Sequence, residues 1–503
     1  MTVDKVKAFD ASWLHFETTN MPMHIASAPI FKLPRGKAKT FYKDLKEHVA
    51  SRAHLLKTYR VKRKNTPLNL DHPVWVEADE IDLDYHVQRY ILPKPGTMEQ
   101  WEHAVAKIHE RPLDMDRPLW QYTLIEGLEG NRVGLVIKIH HSVIDGESGV
   151  AQLDVMFDKT RRPRKIKPTQ TVEHPEEPSA LELITDAAGR FLNQPVELAR
   201  RIPNFATAAR RVAGMTFDRK RVSPFGARAP RTVFNRSITK NRIFSVASFP
   251  LAEIKAIKKN AGVTLNDVVM AMCGGALRKF LLSLDDLTDR SLIAAVPVSL
   301  RRGEDAGSTE MGTLVTMMNC PLGTHIDDPV ERLAFVNKGS IEAKSDVEAT
   351  KDAMIQNFNV LGAPLAMRWG AQVYGALQLA NMHRPIANLI ISNIAGPRHE
   401  IFLNGAKMEH YHPVSAVAHG QGLNITVQSY IDTLDFGLVA CKDVLPGLHV
   451  LRDDLVESFQ ELRAAFLEHD EVVEDAGATS EQPADPPLYE ADVFKRVVAA
   501  AAE

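Results

Sequence analysis

The chain has 503 residues, of which 45% are apolar and 25% charged, and its formal net charge is −2. One hydrophobic core usually stops growing near roughly 250–300 residues, so at least two cores are expected. The composition is that of an ordinary folded protein, and the balanced charge supplies no global field to attract nucleic acid. Cys273, Cys320 and Cys441 are far apart and fit no paired zinc or redox spacing, which points to a reducing compartment. The opening stretch "MTVDKVKAFDASWLHFETTN" lacks the apolar run of a signal peptide, and no run of about 18 apolar residues occurs anywhere. A cytoplasmic location is expected, with adhesion to a lipid surface left open.

In chain order, "FYKDLKEHVASR" has helical spacing, "LWQYTLIEGL" and "NRVGLVIKIHH" read as strands joined by a hairpin, and "ESGVAQLDVMFD" reads as a helix. Residues 158–177, rich in proline and basic side chains, look like a solvated linker, and the basic run at 161–167 reads as a solvated charge run. The stretch 178–215 has amphipathic spacing with arginines on its polar side, suited to packing across an interface or to resting on a membrane. A second α/β block spans 232–467. It opens with "VTLNDVVMAMCGGALRKFL", a helix whose Thr264 and Asp267 resemble a capping box, and continues with strands at "SLIAAVPVSL", "NLIISNIAG", "LNITVQSY" and "LDFGLVAC". The expected division is therefore 1–157, a linker with amphipathic helices at 158–231, 232–467, and an acidic tail at 468–503.

The segment "IKIHHSVIDGESG" carries the chemistry. Side chains alternate along a strand, so Ile137, Ile139 and His141 share one face while Lys138 and His140 share the other. Two histidines pointing apart do not grip one metal ion, and no metal is expected here. His141 follows the more apolar face to the strand end, where an imidazole can move protons at neutral pH. No Gly-x-Ser-x-Gly elbow is present, so a base without a nucleophile would act on an acceptor that itself attacks. Asp145 either orients the imidazole or forms an ion pair that fixes the loop, and Gly146 permits the turn and starts the next helix. The alternative is a packed, hydrogen-bonded histidine pair with no chemistry.

"HHSVIDG" matches the His-His-x-x-x-Asp-Gly signature of coenzyme A-dependent acyltransferases. Together with "DASWLHFETTNMPMHIASAPIF", "DLDYHV", "RPLW", "LNDVVMAMCGGALR", "VPVSLR", "SNIAGPR" and "HGQGLNITVQSY", the chain resembles the bacterial wax ester synthase/acyl-CoA:diacylglycerol acyltransferase family over about residues 8–465. The resemblance implies two chloramphenicol-acetyltransferase-like α/β domains, each a mixed sheet flanked by helices, with the active site at their interface. It implies His141 as general base toward a fatty alcohol or diacylglycerol, a long-chain acyl-CoA as donor, and His140 as support.

It also implies that Asp145 is structural and directed to an arginine, for which Arg301 is the candidate and Arg302 its neighbour. Asn266 and Asp267 fall in the family's "NDVV" motif, with helix capping as the plain alternative to a substrate contact. Pro118, Leu119 and Trp120 are read as packing. Ser392 and Asn393 are candidate pocket groups in a strand-to-turn segment. The element "LDFGLVACKD" lacks the tryptophan of the plant enzymes' counterpart. No cofactor is implied, since acyl-CoA is a substrate, and the residues that hold CoA are not identified. Peripheral contact with the inner membrane or lipid inclusions is compatible with 178–215. The competing readings are a condensation-type or polyketide-lipid acyltransferase of the same fold, and a non-catalytic lipid-droplet scaffold.

Overall fold

A computed structural model describes residues 4–69, 71–144, 146–166, 177–188, 229–299, 315–350 and 363–468. Two six-stranded sheets dominate. The first uses β1 (His24–Lys32), β4 (Val87–Ile91), β5 (Trp120–Leu128), β6 (Arg132–His140), β11 (Phe402–Leu403) and β12 (Ala406–Val414), in the order β11, β12, β1, β6, β5, β4. The second uses β7 (Arg242–Pro250), β8 (Ile293–Ser299), β9 (Val315–Pro321), β10 (Leu389–Ile394), β13 (Leu423–Tyr430) and β14 (Thr433–Cys441), in the order β7, β14, β13, β10, β8, β9. A small ribbon pairs β2 (Val61–Lys64) with β3 (Val74–Glu77). Both large sheets are mixed: β4 runs parallel to β5, and β10 runs parallel to β13 and β8, while the remaining pairs are antiparallel.

The hairpin expected from sequence joins β5 to β6, and Gly130 and Asn131 take φ of 72° and 56° to make its turn. β6 is a central strand, buried from Val133 to His140, because helices cover both faces of its sheet. On one face the helices Ala8–Phe16, Phe41–Arg52 and Gly146–Met156 close a core that includes Phe31, Phe41, Trp120, Leu135 and Phe157. On the other lies the helix Met98–His109, started by a reciprocal Thr97 and Gln100 capping box. Its Trp101 packs so closely on β6 that a Cβ at Gly134 would sit 2.1 Å from the indole nitrogen. The same helix packs on β7, and the core around it joins Trp101 and Val136 to Phe244 and Val439 of the second sheet. The second sheet's own core is built with the helices Leu251–Ala261, Leu265–Ser283, Pro329–Thr350 and Leu448–Leu467.

Two features differ from the sequence reading. Residues 402–414, inside the expected second block but not read as strand, form β11 and β12 and add to the first sheet, with β12 pairing β1 from Ala26↔Val414 to Lys32↔Lys407. A strand's own residues do not say which sheet it joins, because that depends on a partner distant in sequence. The start of the expected linker is also built in. Asp158 is buried, pairs with the buried Arg52 at 2.8 Å, and exchanges backbone hydrogen bonds with Phe402. Arg164 is no free solvated charge: it donates to the carbonyls of Asp154, Val155 and Phe157, capping the C-terminal end of Gly146–Met156. Of the amphipathic stretch 178–215, residues 180–188 form a helix with Leu183 buried against Val74 and Val76. Residues 189–215, 167–176 and the acidic tail from 469 lie outside the described residues. No helix among the described residues is long and apolar enough to cross a membrane.

Candidate active site

Strand β6 delivers the two histidines to different surroundings. His140 is fully buried as the strand's last residue, opposite His24 of β1. Its Nδ1 accepts from the Ser142 backbone N–H at 3.1 Å and lies 2.7 Å from Ser142 Oγ, so its proton sits on Nε2 and is donated to Glu17 Oε2 at 2.8 Å. Glu17 reaches that position because the helix Ala8–Phe16 stops one residue earlier and Glu17 itself is extended. The same carboxylate oxygen accepts the Met23 N–H. His140 is thereby fixed by two neighbours, Ser142 and Glu17.

One residue on, the chain leaves the strand. The His141 backbone N–H donates to the Met23 carbonyl at 2.9 Å, and its half-buried ring stacks on Trp13 with centroids 4.1 Å apart and planes 8° apart. An indole laid flat on an imidazole restricts the ring's rotation and places the π-face where a positive imidazolium would be stabilised. Trp13 belongs to Ala8–Phe16, which packs against the helix Ala363–Ala376 from the C-terminal half of the chain. The imidazole thus lies near a seam between the two halves, and it is not sealed inside one of them.

Behind the strand the alternation places Lys138 and His140 together, away from the cleft. Lys138 is buried and donates to the carbonyls of Ile108 and Arg111, and burial pushes its ammonium down to about 7. Burial likewise lowers His24 well below its ordinary value, and His109 to about 3, so both rings are neutral at working pH. This layer is a satisfied polar support beneath the strand end.

In front of the strand, Ile137 and Ile139 line a narrow cleft of about 80 Å³, smaller than the roughly 300–1,000 Å³ usual for small-molecule sites. Its other walls come from Tyr122 of β5, Leu153 and Met156 of Gly146–Met156, Tyr411 and Pro413 of β12, and Ile394 and Gln428 of the second sheet. The lining is mostly aliphatic and aromatic, as a hydrocarbon chain requires. His141 sits at the end of the strand whose Ile139 forms one wall, and Ile144, three residues after it, forms another part of the wall.

The other residues singled out from sequence are scattered. Gly146 opens the helix Gly146–Met156, as the turn reading requires. Asp145 and Arg301 lie outside the described residues, as does Arg302. Asp267 is fully buried and accepts from Thr264 N–H and Oγ and from Asn337 Nδ2, which makes it the N3 member of the capping box of Leu265–Ser283. Asn266 is half-buried beside it. Ser392 and Asn393 are half-buried on β10; Ser392 shares a face with the cleft-lining Ile394, and Asn393 points the other way. The following Gly396 is required by a close approach, since a Cβ there would lie 1.8 Å from the Ser429 carbonyl. Leu119 and Trp120 are fully buried, with Trp120 stacked on His86 and donating to the Tyr59 carbonyl, so that segment is packing.

Trp13 and Glu17 were not identified as site residues from the sequence. Their spacing of four, across a helix end, is the only signal, and it does not reveal that both would meet a histidine pair more than 120 positions away.

Comparison with known proteins agrees with this arrangement. Residues 6–269 match the family model of the wax ester synthase/diacylglycerol acyltransferase catalytic domain, and residues 311–463 match that of the WS/DGAT C-terminal domain. The chain is 30% identical over 468 residues to O-acyltransferase WSD of Acinetobacter baylyi, covering 92% of this chain and 98% of that one. It is 32% identical over 472 residues to a probable diacyglycerol O-acyltransferase, tgs2, of Mycobacterium tuberculosis, covering 92% and 99%. Among solved structures, the wax ester synthase/diacylglycerol acyltransferase of Marinobacter aquaeolei superposes with a TM-score of 0.65 at 26% identity, over 91% of this chain and 98% of that one. The first condensation domain of the calcium-dependent antibiotic synthetase shares the fold at a TM-score of 0.56 and 16% identity, over 92% and 97%. With both family models matched in order across the histidine motif and the two sheets, the chain belongs to the wax ester synthase/diacylglycerol acyltransferase family of O-acyltransferases.

Proposed function

We propose that this protein transfers a long-chain acyl group from acyl-CoA to the hydroxyl of a fatty alcohol or a diacylglycerol, with His141 as the general base. The observation that carries this reading is the arrangement at the end of β6: Glu17 and Ser142 hold His140 behind the strand, and His141, half-buried and stacked on Trp13, follows Ile139, which lines the apolar cleft. The imidazole takes the hydroxyl proton as the oxygen attacks the thioester carbonyl, forming the C–O bond. The tetrahedral centre then collapses, the C–S bond breaks, and the imidazolium returns its proton to the leaving CoA sulfur. Both substrates are held together, so no acyl-enzyme is formed. Glu17 and His140 act on this step by holding the strand end, and Trp13 by holding the imidazole plane. Acyl-CoA is consumed as a substrate, and the scheme needs no cofactor.

Peripheral contact with a lipid surface fits the same reading. Leu365 and Trp369 of Ala363–Ala376, with Leu377, Met382 and Ile386 just after it, are exposed large apolar side chains. They belong to the segment that packs on the Trp13 helix, which would bring water-insoluble acceptors to the region of His141. The test is an acceptor panel at fixed palmitoyl-CoA, resolved by thin-layer chromatography. Hexadecanol should yield a wax ester, or a diacylglycerol a triacylglycerol, with release of the CoA thiol. No ester from any acceptor and no thiol release would overturn the reading, and activity only with a carrier-bound acyl donor would move the protein to condensation-type chemistry.

A further inference from the structure

On the face of β12 turned away from the cleft, two histidines and an aspartate form a cluster that acyl transfer does not use. Tyr411 and Pro413 line the cleft, so the alternate residues His410 and His412 project from the opposite side of the strand. Their rings are nearly parallel, 13° apart, with centroids separated by 5.4 Å. Facing them from β14 is Asp435, fully buried, with Oδ1 3.3 Å from His410 Nδ1. One ring nitrogen of each histidine and a carboxylate oxygen all lie within 4.8 Å of one another, and no other such trio of His, Cys, Asp or Glu occurs among the described residues.

We propose that His410, His412 and Asp435 bind a divalent transition-metal cation of the zinc class, clamping the first sheet to the second. Bonds of about 2.0–2.2 Å to nitrogen and carboxylate oxygen put two ligands of a tetrahedral ion roughly 3.3 Å apart, the separation His410 and Asp435 already show. His412 is 98% buried and its Nδ1 has no hydrogen-bond partner among the described residues.

The supporting shell is present as well. Asp435 Oδ1 accepts from Ser248 Oγ at 2.7 Å and its Oδ2 accepts the Tyr411 N–H at 2.8 Å, which fixes the carboxylate's plane. His410, with its side chain 33% exposed, leaves an entry path and a fourth position for water. Since β12 belongs to the first sheet while β14 and the Ser248 strand belong to the second, the bound ion would tie the strand that carries Tyr411 and Pro413 to the second sheet. The sequence predicts no metal at the cysteines or at His140 and His141; this trio is brought together by the apposition of β12 and β14.

The test is isothermal titration of the tag-free, chelator-treated full-length chain with zinc chloride, beside His410→Ala and His412→Gln. Wild type should bind one equivalent saturably and melt at a higher temperature in zinc. His410→Ala, at a partly exposed position, should weaken that site by at least about tenfold and abolish the rise in melting temperature, since even losses around a metal's ligands commonly cost 10–100-fold. Cobalt(II) or copper(II) at the site should quench Trp101, whose ring centroid lies 5.7 Å from that of His412, and the quenching should vanish in the same variant. Absence of saturable zinc binding, or binding and quenching unchanged in His410→Ala, would overturn the proposal. Neither result bears on acyl transfer, which is assayed separately.

Discussion

His141→Ala should lower kcat by about 10²- to 10⁴-fold, the range a positioned proton-transfer group supplies. The variant should still fold. His141 is half-buried on a loop, and the stack of its ring on Trp13 is a pair of the kind worth about 0.5–1.5 kcal/mol. The separation of effects matters because His140, its neighbour, is the reverse case. Removing His140 leaves the Glu17 carboxylate with the Met23 N–H but without its imidazole donor, and takes the acceptor from the buried Ser142 N–H, which costs stability before it costs chemistry. The comparison is made by steady-state kinetics with palmitoyl-CoA and hexadecanol, with thermal unfolding of each variant alongside. Activity of His141→Ala within a few-fold of wild type would remove this imidazole from the proton transfer.

The second large effect concerns the seam between the sheets. Gly437 of β14 faces β12 so closely that a Cβ there would lie 1.7 Å from the Pro413 carbonyl oxygen and 2.9 Å from its carbon. Both partners are backbone held in ladders, β12 against β1 and β14 between β13 and β7, so neither can step aside as a flexible side chain would. Gly437→Val must therefore push the sheets apart. Overpacking a tight core costs typically 1–3 kcal/mol and sometimes more, and a clash with rigid backbone belongs at the upper end, about 3 kcal/mol or above. Because Pro413 lines the cleft, the variant should also lose activity in whatever fraction still folds. Gly370→Ala is the control: nothing lies within 4 Å of the added Cβ, and it sits inside the helix Ala363–Ala376, so it should be neutral or slightly stabilising. Chemical denaturation of both variants gives the answer, and a Gly437→Val stability within about 0.5 kcal/mol of wild type, the usual range for surface substitutions, would contradict the packing described here.

What could be read from the sequence was local. The periodicity of Leu265–Ser283, its Thr264 and Asp267 capping box, the hairpin through Gly130 and Asn131, and the alternation that sends Ile139 and His140 to opposite faces all depend on neighbours a few residues apart. The motif was legible for the same reason, but alternation placed only His140 correctly: the strand ends there, and His141, expected to share a face with Ile137 and Ile139, lies in the turn that follows.

The features that were not legible depend on distant partners. Nothing within residues 406–414 names the sheet that β12 joins, and only the pairing with β1 decides. Asp158 and Arg164 sit in a stretch whose composition is that of a linker, yet one is paired with the buried Arg52 and the other caps a helix. Trp13 and Glu17 lie on a short helix at the start of the chain, and nothing within that segment announces the imidazoles they contact. The cluster of His410, His412 and Asp435 is likewise assembled by the apposition of two strands from different sheets.

The most direct test of the mechanism is rapid-mixing measurement of CoA thiol release from palmitoyl-CoA with the enzyme in excess over substrate, with and without hexadecanol. If His141 acts as a base on an acceptor held in the same complex, thiol appears in step with wax ester when the alcohol is present and no burst occurs in its absence. A rapid burst approaching one equivalent of thiol without alcohol, leaving the acyl group on the protein, would contradict the account, because it would make a side chain the nucleophile.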